Sequence, residues 1–169
     1  MQPVIRSALV SDIPAMYSIS RRAHQDSYAS LIPVTHRVAF RRRYTYSTKA
    51  LEEYKTKMIA NITSRLWHVW VAEMADKVVG YTLGEQISDL LIQKRGLFVD
   101  PDYYGRGIGS ALFERSLRDV PRGCIIRLSV IENNERAKRL YIKRGFVKVA
   151  SAGTTFFGAK LDVMERTMN

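Results

Sequence analysis

The chain has 169 residues, of which 46% are hydrophobic and 25% charged, and its formal net charge is +11. This length fits a single domain, residues 1–169, with a substantial core. The composition is typical of a soluble globular protein. The single cysteine excludes an intramolecular disulfide. The lack of a secretory signal or a long apolar run argues against a membrane protein and favours a cytoplasmic one.

The first 64 residues are expected to form a short strand and two helices. Val4–Val10 is predicted to be the strand, and Ser11 has the residue type of a helix N-cap. Apolar residues then recur at helical spacing from Ile13, and His24 near the end of that helix is interpreted as a surface or capping residue. A second helix is predicted over Thr48–Asn61.

A dense basic patch lies between these two helices. It consists of Arg37, Arg41, Arg42 and Arg43, followed by the aromatic residues Tyr44 and Tyr46. Arginines interleaved with aromatic rings can bind nucleic acid or a ribosome, whereas a solvated helix face is the plainer interpretation. The positive field of the whole chain would also attract a polyanionic small molecule.

The middle of the chain alternates strands and turns. Trp67–Met74 and Lys77–Glu85 are predicted to be an antiparallel pair, with Gly80 at a bulge or a close backbone approach. Residues 86–92 are expected to be a loop or an extension. Gln93–Asp100 is predicted to be a strand that Pro101 ends, because proline has no N–H for a ladder.

Three alternating glycines follow that strand, at Gly105, Gly107 and Gly109. The sequence after them takes on helical spacing at Ile108. A glycine-rich loop that opens a helix presents free N–H groups and the positive end of the helix dipole, so it is a favourable site for phosphate. Arg106 adds a positive charge to this loop.

Two known phosphate-binding fingerprints do not fit this loop. A P-loop needs Gly-Lys-Ser/Thr, and this chain has Gly109-Ser110 without the lysine. The dinucleotide pattern needs a third glycine where Ser110 stands. From the loop alone, both a phosphate site and an ordinary glycine-rich turn remain open.

The last third is predicted to contain two further helices and three strands. The helix after the glycine loop ends before Pro121, and Cys124–Ile131 is a nearly continuous apolar run that predicts a central buried strand. A helix over Asn134–Arg144 ends at Gly145. Strands at 146–150 and 154–166 are expected to form a hairpin around residues 151–153. The pattern as a whole predicts a mixed α/β layered domain.

The glycine loop resembles the acyl-CoA-binding motif of the GCN5-related N-acetyltransferase (GNAT) family, Gln/Arg-x-x-Gly-x-Gly/Ala. A second family motif, Asn-x-x-Ala-x-x-Leu-Tyr-x-x-x-Gly-Phe, is matched by Asn134, Ala137, Leu140, Tyr141, Gly145 and Phe146. The two motifs together cover about residues 96–147. One departure is Tyr104, which occupies the Gln/Arg position and offers only one hydrogen-bond donor.

The resemblance implies a GNAT-like fold, with a central mixed, mostly antiparallel sheet, splayed middle strands and flanking helices. It implies acetyl-CoA as cosubstrate, an amine acceptor bound near residues 28–64, and a possible homodimer. No metal is expected, because Cys124 and the three histidines show no metal-ligand spacing. The residues that the resemblance assigns to cofactor binding are Leu97, Phe98, Val99, Tyr104, Gly105, Arg106, Gly107, Ile108, Gly109, Ser110 and Asn134.

The resemblance also implies Tyr141 as the general acid that protonates the leaving thiolate. Asn134 lies seven residues before Tyr141, hence about 10.5 Å away along one helix face. The general base is less evident. Glu85 and Asp89 are the acidic candidates, with Glu73 further away, and Glu85, acting through water, is the one chosen here. Gln93, Lys94 and Arg95 stand where relatives often carry a carboxylate. Lys94 and Arg95 could instead lower the pKa of the amine or bind an acceptor carboxylate.

Two functions from other classes remain open at this point. The first is a non-catalytic domain that binds acyl-CoA for a regulatory purpose, which would retain the cofactor motifs without a base. The second is a basic nucleic-acid-binding or ribosome-associated protein, which would bind its partner in a strongly salt-dependent way.

Overall fold

Helices cover both faces of a seven-stranded sheet in the structure, a computed structural model that describes residues 2–169. The strands are β1 (Val4–Ser7), β2 (Trp67–Met74), β3 (Lys77–Ser88), β4 (Leu91–Val99), β5 (Ile125–Ile131), β6 (Val147–Phe156) and β7 (Ala159–Thr167). The helices are α1 (Ile13–Tyr28), α2 (Arg37–Arg43), α3 (Thr48–Thr63), α4 (Ile108–Arg118) and α5 (Glu135–Ile142).

The sheet is mixed, with strand order β1-β2-β3-β4-β5-β7-β6. The β4–β5 pair is parallel, and the other neighbouring strands are antiparallel. Strand β5 lies inside the sheet, between β4 and β7, as its nearly continuous apolar sequence predicts. The mixed α/β fold expected from the sequence is confirmed.

The two faces of the sheet carry separate parts of the core. Helices α1 and α3 pack on β2 and β3, where Met16, Met58 and Tyr81 are buried. On the opposite face α4 packs against the same strands, and Phe113 and Phe146 form a second cluster with β5 and β7. Helices α1 and α4 also contact β4, one from each face of the sheet.

Side-chain caps explain where two predicted helices begin. Ser47 accepts a hydrogen bond from the N–H of Ala50 at 3.0 Å, so α3 begins at Thr48. The Oδ1 atom of Asn134 accepts from the N–H of Ala137 at 3.1 Å and starts α5 in the same way. Each cap satisfies one of the N–H groups that lack an intrahelical acceptor.

The start of the chain differs from the sequence prediction. Strand β1 ends at Ser7, three residues earlier than expected, and Val10–Asp12 form a 3₁₀ turn instead. The carboxylate of Asp12 accepts from the N–H of Leu9 at 2.8 Å and from the Arg6 guanidinium at 2.7 Å. These contacts turn the chain before α1, so Ser11 lies within the turn and the prediction that it is the N-cap is wrong.

The last hairpin also turns at a different point from the one predicted. Its two-residue turn is Phe157-Gly158, and both residues have positive φ, 47° and 77°. Such a turn matches the twist of a hairpin, and glycine adopts this conformation at little cost. Residues 151–153, expected to be the turn, lie within β6, where the register with β7 shifts between Ser151 and Thr155.

The β3–β4 hairpin is longer than the sequence indicates. Strand β3 continues to Ser88 and β4 begins at Leu91, so most of residues 86–92 is strand and not loop. Gly80 does mark a close approach, since a Cβ atom there would lie 2.9 Å from the carbonyl oxygen of Phe98. The register between β2 and β3 shifts beside it, at Ala72 and Glu73.

Candidate active site

The glycine loop forms one wall of a cavity of ≈ 660 Å³, which we call the loop cavity. Gly105 and Gly107 both adopt positive φ, at 78° and 75°, a conformation that glycine permits without strain. Gly107 is the N-cap of α4. The N–H groups of residues 105–107 have no protein acceptor within residues 2–169, and those of residues 108–110 belong to the first helical turn.

The space in front of these glycines is open. A Cβ atom at Gly105 or Gly107 would meet no atom within 4 Å, and one at Gly109 would meet only the Val99 side chain at 3.6 Å. Free N–H groups, an open approach and the dipole of α4 together suit an anionic group of phosphate size. The loop therefore has the geometry of the phosphate site that its sequence predicts.

Two arginines lie near this loop, but their side chains are arranged differently. Arg106 lies over the ring of Tyr103, 5.1 Å from its centroid, and does not line the loop cavity. Arg136, on α5, does line it and lies 4.0 Å from the centroid of the Tyr104 ring. The Tyr104 hydroxyl is itself hydrogen-bonded to Ser27 at 3.0 Å. Arg136 is therefore a cation beside the loop that the sequence motifs do not identify.

The sheet divides next to the loop cavity. Strands β4 and β5 pair only at Leu91–Gln93 with Ile125–Arg127, although both strands continue beyond these residues. From Lys94 and Leu128 onward their facing backbone groups have no ladder partner across the gap. The splayed middle strands implied by the family resemblance are thus observed, and an extended ligand could bond to both edges like an added strand.

A smaller cavity of ≈ 230 Å³, which we call the strand gap, lies between the separated parts of β4 and β5. Both cavities are lined by Leu97, Phe98 and Tyr141, so they adjoin. The complete lining of the strand gap is His24, Tyr28, Lys94, Arg95, Gly96, Leu97, Phe98, Phe113, Leu128, Ser129, Val130, Ile131, Ala137, Tyr141, Phe156 and Leu161.

The structure brings most of the predicted site residues to the loop cavity. Its lining includes Leu97, Phe98, Val99, Tyr104, Gly105, Gly107, Ile108, Gly109, Ser110, Asn134 and Tyr141. The Tyr141 ring packs against Phe113 and Phe146, with centroids 5.4 and 6.0 Å away. Burial raises the pKa of the Tyr141 hydroxyl above its ordinary value, so this group is protonated at neutral pH.

Glu85 lies elsewhere, on a third cavity of ≈ 640 Å³ between α1, α3 and β3, which we call the helix cavity. Its carboxylate accepts two hydrogen bonds from Arg95, at 2.9 and 2.6 Å. Glu85 lines neither the loop cavity nor the strand gap. The structure therefore does not bring together the two residues that the sequence analysis singled out for proton transfer, Glu85 and Tyr141.

His24 separates the helix cavity from the strand gap and is buried, which contradicts its interpretation as a surface or capping residue. Its ring is stacked on Tyr44, with centroids 4.1 Å apart, and Nδ1 donates to the carbonyl oxygen of Ser20 at 2.7 Å. Burial lowers the pKa of His24 to about 4. Three of the rings packed around it, those of Tyr44, Phe98 and Phe156, lie outside α1, so helical spacing alone could not predict this position.

Other predicted features lie outside these cavities or at their edge. Arg41, Arg42 and Arg43 form the exposed last turn of α2, and Arg37 donates to the carbonyl oxygen of Ile32. Cys124 is buried, as expected. Across residues 2–169 no three potential metal ligands cluster. Within that same range no helix is long and apolar enough to cross a bilayer.

Comparison with known proteins agrees with this geometry. The sequence model of the Acetyltransferase (GNAT) domain matches residues 65–148. N-alpha-acetyltransferase RimI of Mycobacterium tuberculosis is 47% identical over 51 residues, and this match covers 30% of the present chain and 32% of that protein. It thus spans about a third of the curated relative's length.

Two solved structures share the fold along nearly the whole chain. PaiA N-acetyltransferase of Thermoplasma acidophilum, in complex with coenzyme A, superposes with a TM-score of 0.74 at 17% identity, over 99% of each chain. Ard1 of Thermoplasma volcanium gives a TM-score of 0.71 at 25% identity, over 100% of this chain and 99% of that one.

The sequence model and the shared fold agree on one class of protein, the acetyltransferases of the GNAT fold. The chain belongs to the GCN5-related N-acetyltransferase (GNAT) family.

Proposed function

We propose that this protein transfers an acetyl group from acetyl-CoA to a primary amine of a small molecule, a peptide or a protein. One observation carries the proposal: the loop cavity is lined both by the glycine loop and by Tyr141, and it adjoins the gap between β4 and β5. In this proposal a diphosphate, an extended arm and a thioester sulfur occupy adjoining sites. The coenzyme A complex of PaiA N-acetyltransferase supports the same donor.

In this proposal the main-chain N–H groups of residues 105–110 bind the diphosphate. The pantetheine arm lies between β4 and β5 and bonds to their unpaired edges. This fixes the thioester beside Leu97–Val99, where a backbone N–H stabilises the oxyanion. The Asn134 side chain lines the same cavity, although its Oδ1 is committed to capping α5.

The chemistry is a direct transfer within a complex of both substrates. The neutral amine attacks the thioester carbonyl, a C–N bond forms, and the C–S bond breaks. The Tyr141 hydroxyl donates its proton to the leaving sulfur. Its raised pKa keeps this proton in place until a thiolate develops nearby.

The acceptor enters, in our proposal, from the helix cavity. Phe98 lines this cavity, the strand gap and the loop cavity, so the three adjoin at one side chain, with His24 between the helix cavity and the strand gap. Because RimI is named an N-alpha-acetyltransferase, the α-amino group of a peptide is one acceptor to test. Glu85 lines the helix cavity and is the residue proposed from the sequence to deprotonate the acceptor through water.

We further propose that residues 1–169 act as one GNAT-like domain, because the described strands all belong to one sheet. The test of function is acetyl-CoA binding by calorimetry at moderate salt, followed by thiol release across a panel of amines and N-terminal peptides. Release that depends on an amine supports the proposal. Binding without turnover indicates a non-catalytic acyl-CoA-binding domain, and a lack of binding refutes the loop assignment.

A further inference from the structure

Lys94 is a buried lysine in the strand gap with no partner for its charge. The residue is 9% exposed, and its Nζ atom makes no hydrogen bond or ion pair with any group in residues 2–169. Its nearest described cation–π contact is the Phe113 ring, with Nζ 5.9 Å from the centroid. Lysine is almost never buried in this way unless it is paired, so the position requires an explanation.

An irregularity in β4 puts Lys94 in this position. Across β3, Leu83 pairs with Gly96 but the next residue, Gly84, pairs with Lys94, so Arg95 is the extra residue of a bulge. The bulge reverses the alternation of side chains along β4 at this point. Lys94 consequently shares the sheet face of Leu97 and lies towards Phe113 of α4, instead of facing the helix cavity.

The titratable groups around Lys94 are few. The strand gap is lined by His24 and Tyr28 from α1, Arg95 from β4 and Tyr141 from α5, and within residues 2–169 no Asp or Glu lines it. The residues that line it from α4, β5, β6 and β7 are not titratable. Arg95 is ion-paired with Glu85 outside the gap.

Burial shifts the pKa values of these groups in different directions. Burial lowers the pKa of His24 to about 4 and raises those of Tyr28 and Tyr141, so none of the three changes charge near pH 7. Desolvation lowers the pKa of Lys94 to about 7. An amine with that pKa can both take up and release a proton at neutral pH, which is the property a general base needs.

We propose that Lys94 is the general base that removes the proton from the acceptor nitrogen as the acyl bond forms, an inference that rests on the proposed acetyltransfer. Neutral Lys94 takes one proton from the attacking nitrogen when the C–N bond forms. Tyr141 gives its proton to sulfur when the C–S bond breaks. Proton transfer from the Lys94 ammonium to the Tyr141 phenolate then restores both groups, so the step balances without another reactant.

The first test is Lys94→Met, which keeps the length and apolar stem of the side chain and removes its amine. We expect kcat/KM for the acceptor to fall about 100-fold or more, because general base catalysis typically contributes that much. The Kd of acetyl-CoA should change little. Lys94→Arg, which keeps a permanent cation that cannot act as a base, should be equally impaired, whereas a purely electrostatic role predicts rescue by arginine.

The dependence of the reaction rate on pH is a more specific test of Lys94 as the base. Dividing the wild-type rate by the Lys94→Met rate removes the effect of pH on the acceptor amine, which is the same for both proteins. The ratio should rise about tenfold per pH unit below the Lys94 pKa of about 7 and level off above it. A ratio that does not vary between pH 5.5 and 8.5 would overturn the assignment.

A measurement without turnover separates this inference from the proposed function. In protein labelled with ¹³C at lysine Cε, the resonance absent from Lys94→Met should titrate near pH 7, and a midpoint near 10 would overturn the inference. Exposed Lys77 provides the matched control, since Lys77→Met should leave rate and titration unchanged. Normal turnover by Lys94→Met would show that Lys94 is not the general base but would leave the proposed acetyltransfer intact. A wild-type protein that neither binds acetyl-CoA nor turns over would refute both the role of Lys94 and the proposed function.

Discussion

The substitution Gly107→Glu tests the phosphate site with little steric ambiguity. A Cβ atom at this position meets no atom within 4 Å, so the new side chain has room and extends from the mouth of the loop. The residue keeps a φ of 75°, and a non-glycine residue in this region costs about 1–2 kcal/mol. This cost lowers the stability of the folded protein. It does not change the affinity for acetyl-CoA, because it is the same with and without ligand.

The loss of affinity should come from charge. A carboxylate about 5 Å from one phosphate charge, at an effective dielectric constant of about 20, is repelled by about 3 kcal/mol. Since about 1.4 kcal/mol is a factor of ten, acetyl-CoA should bind about 100-fold more weakly. The value is a lower bound if the carboxylate approaches both phosphates of the diphosphate.

Calorimetric titration with acetyl-CoA, paired with thermal unfolding, measures both parts. Gly107→Ala carries the same backbone strain without the charge, so its melting temperature should fall by a few degrees while its Kd stays within a few-fold of wild type. Gly153→Glu adds the same charge at an exposed position in β6 and should change neither quantity appreciably. An unchanged Kd for Gly107→Glu would refute the assignment of this loop to phosphate binding.

Three further predictions concern proton transfer and pH. Tyr141→Phe should lower kcat about 100-fold or more while the Kd of acetyl-CoA stays nearly constant; an unaffected kcat would remove the general-acid role. Because Lys94 is the proposed base, Glu85→Gln should leave the limb of the pH–rate profile that rises with pH in place, and a shifted limb would assign the base to Glu85 instead. His24 should destabilise the fold as pH falls from 6.5 to about 4, because the unfolded chain binds a proton there that the folded protein does not. Chemical denaturation should therefore show wild type losing about 3 kcal/mol more than His24→Phe across that range, and equal losses would contradict a buried, neutral His24.

The elements with strong local signals could be predicted from the sequence. Strand β2 coincides with the predicted span Trp67–Met74, and α3 begins at the predicted Thr48. The glycine loop was predictable for the same reason, since alternating glycines at a strand–helix junction have few structural alternatives. In each case residues close in the chain determine the conformation.

The errors arose where distant residues decide the conformation. Residues 151–153 have the composition of a turn, yet β6 and β7 continue to pair beyond them as far as Phe156 and Ala159, so the turn lies at Phe157-Gly158. Ser11 resembles an N-cap, but the ion pair between Arg6 and Asp12 bends the chain first. Neither the register nor the ion pair leaves a local sequence signal.

The same limit applies to the candidate site. Motif spacing predicted that Asn134 and Tyr141 lie on one side of α5, and both line the loop cavity. The position of Lys94 depends on a one-residue bulge relative to β3, and the burial of His24 depends on rings from several elements. Both depend on tertiary contacts, so a single sequence could not show either of them.

The central claim is that one helix start binds a diphosphate while the phenol of the following helix faces the thioester sulfur. A crystal structure of the protein with acetyl-CoA tests it most directly. We expect phosphate oxygens within hydrogen-bonding distance of the N–H groups of residues 105–110, and the sulfur beside the Tyr141 hydroxyl in the gap between β4 and β5. A diphosphate bound elsewhere, or a Tyr141 hydroxyl directed away from the sulfur, would contradict the account.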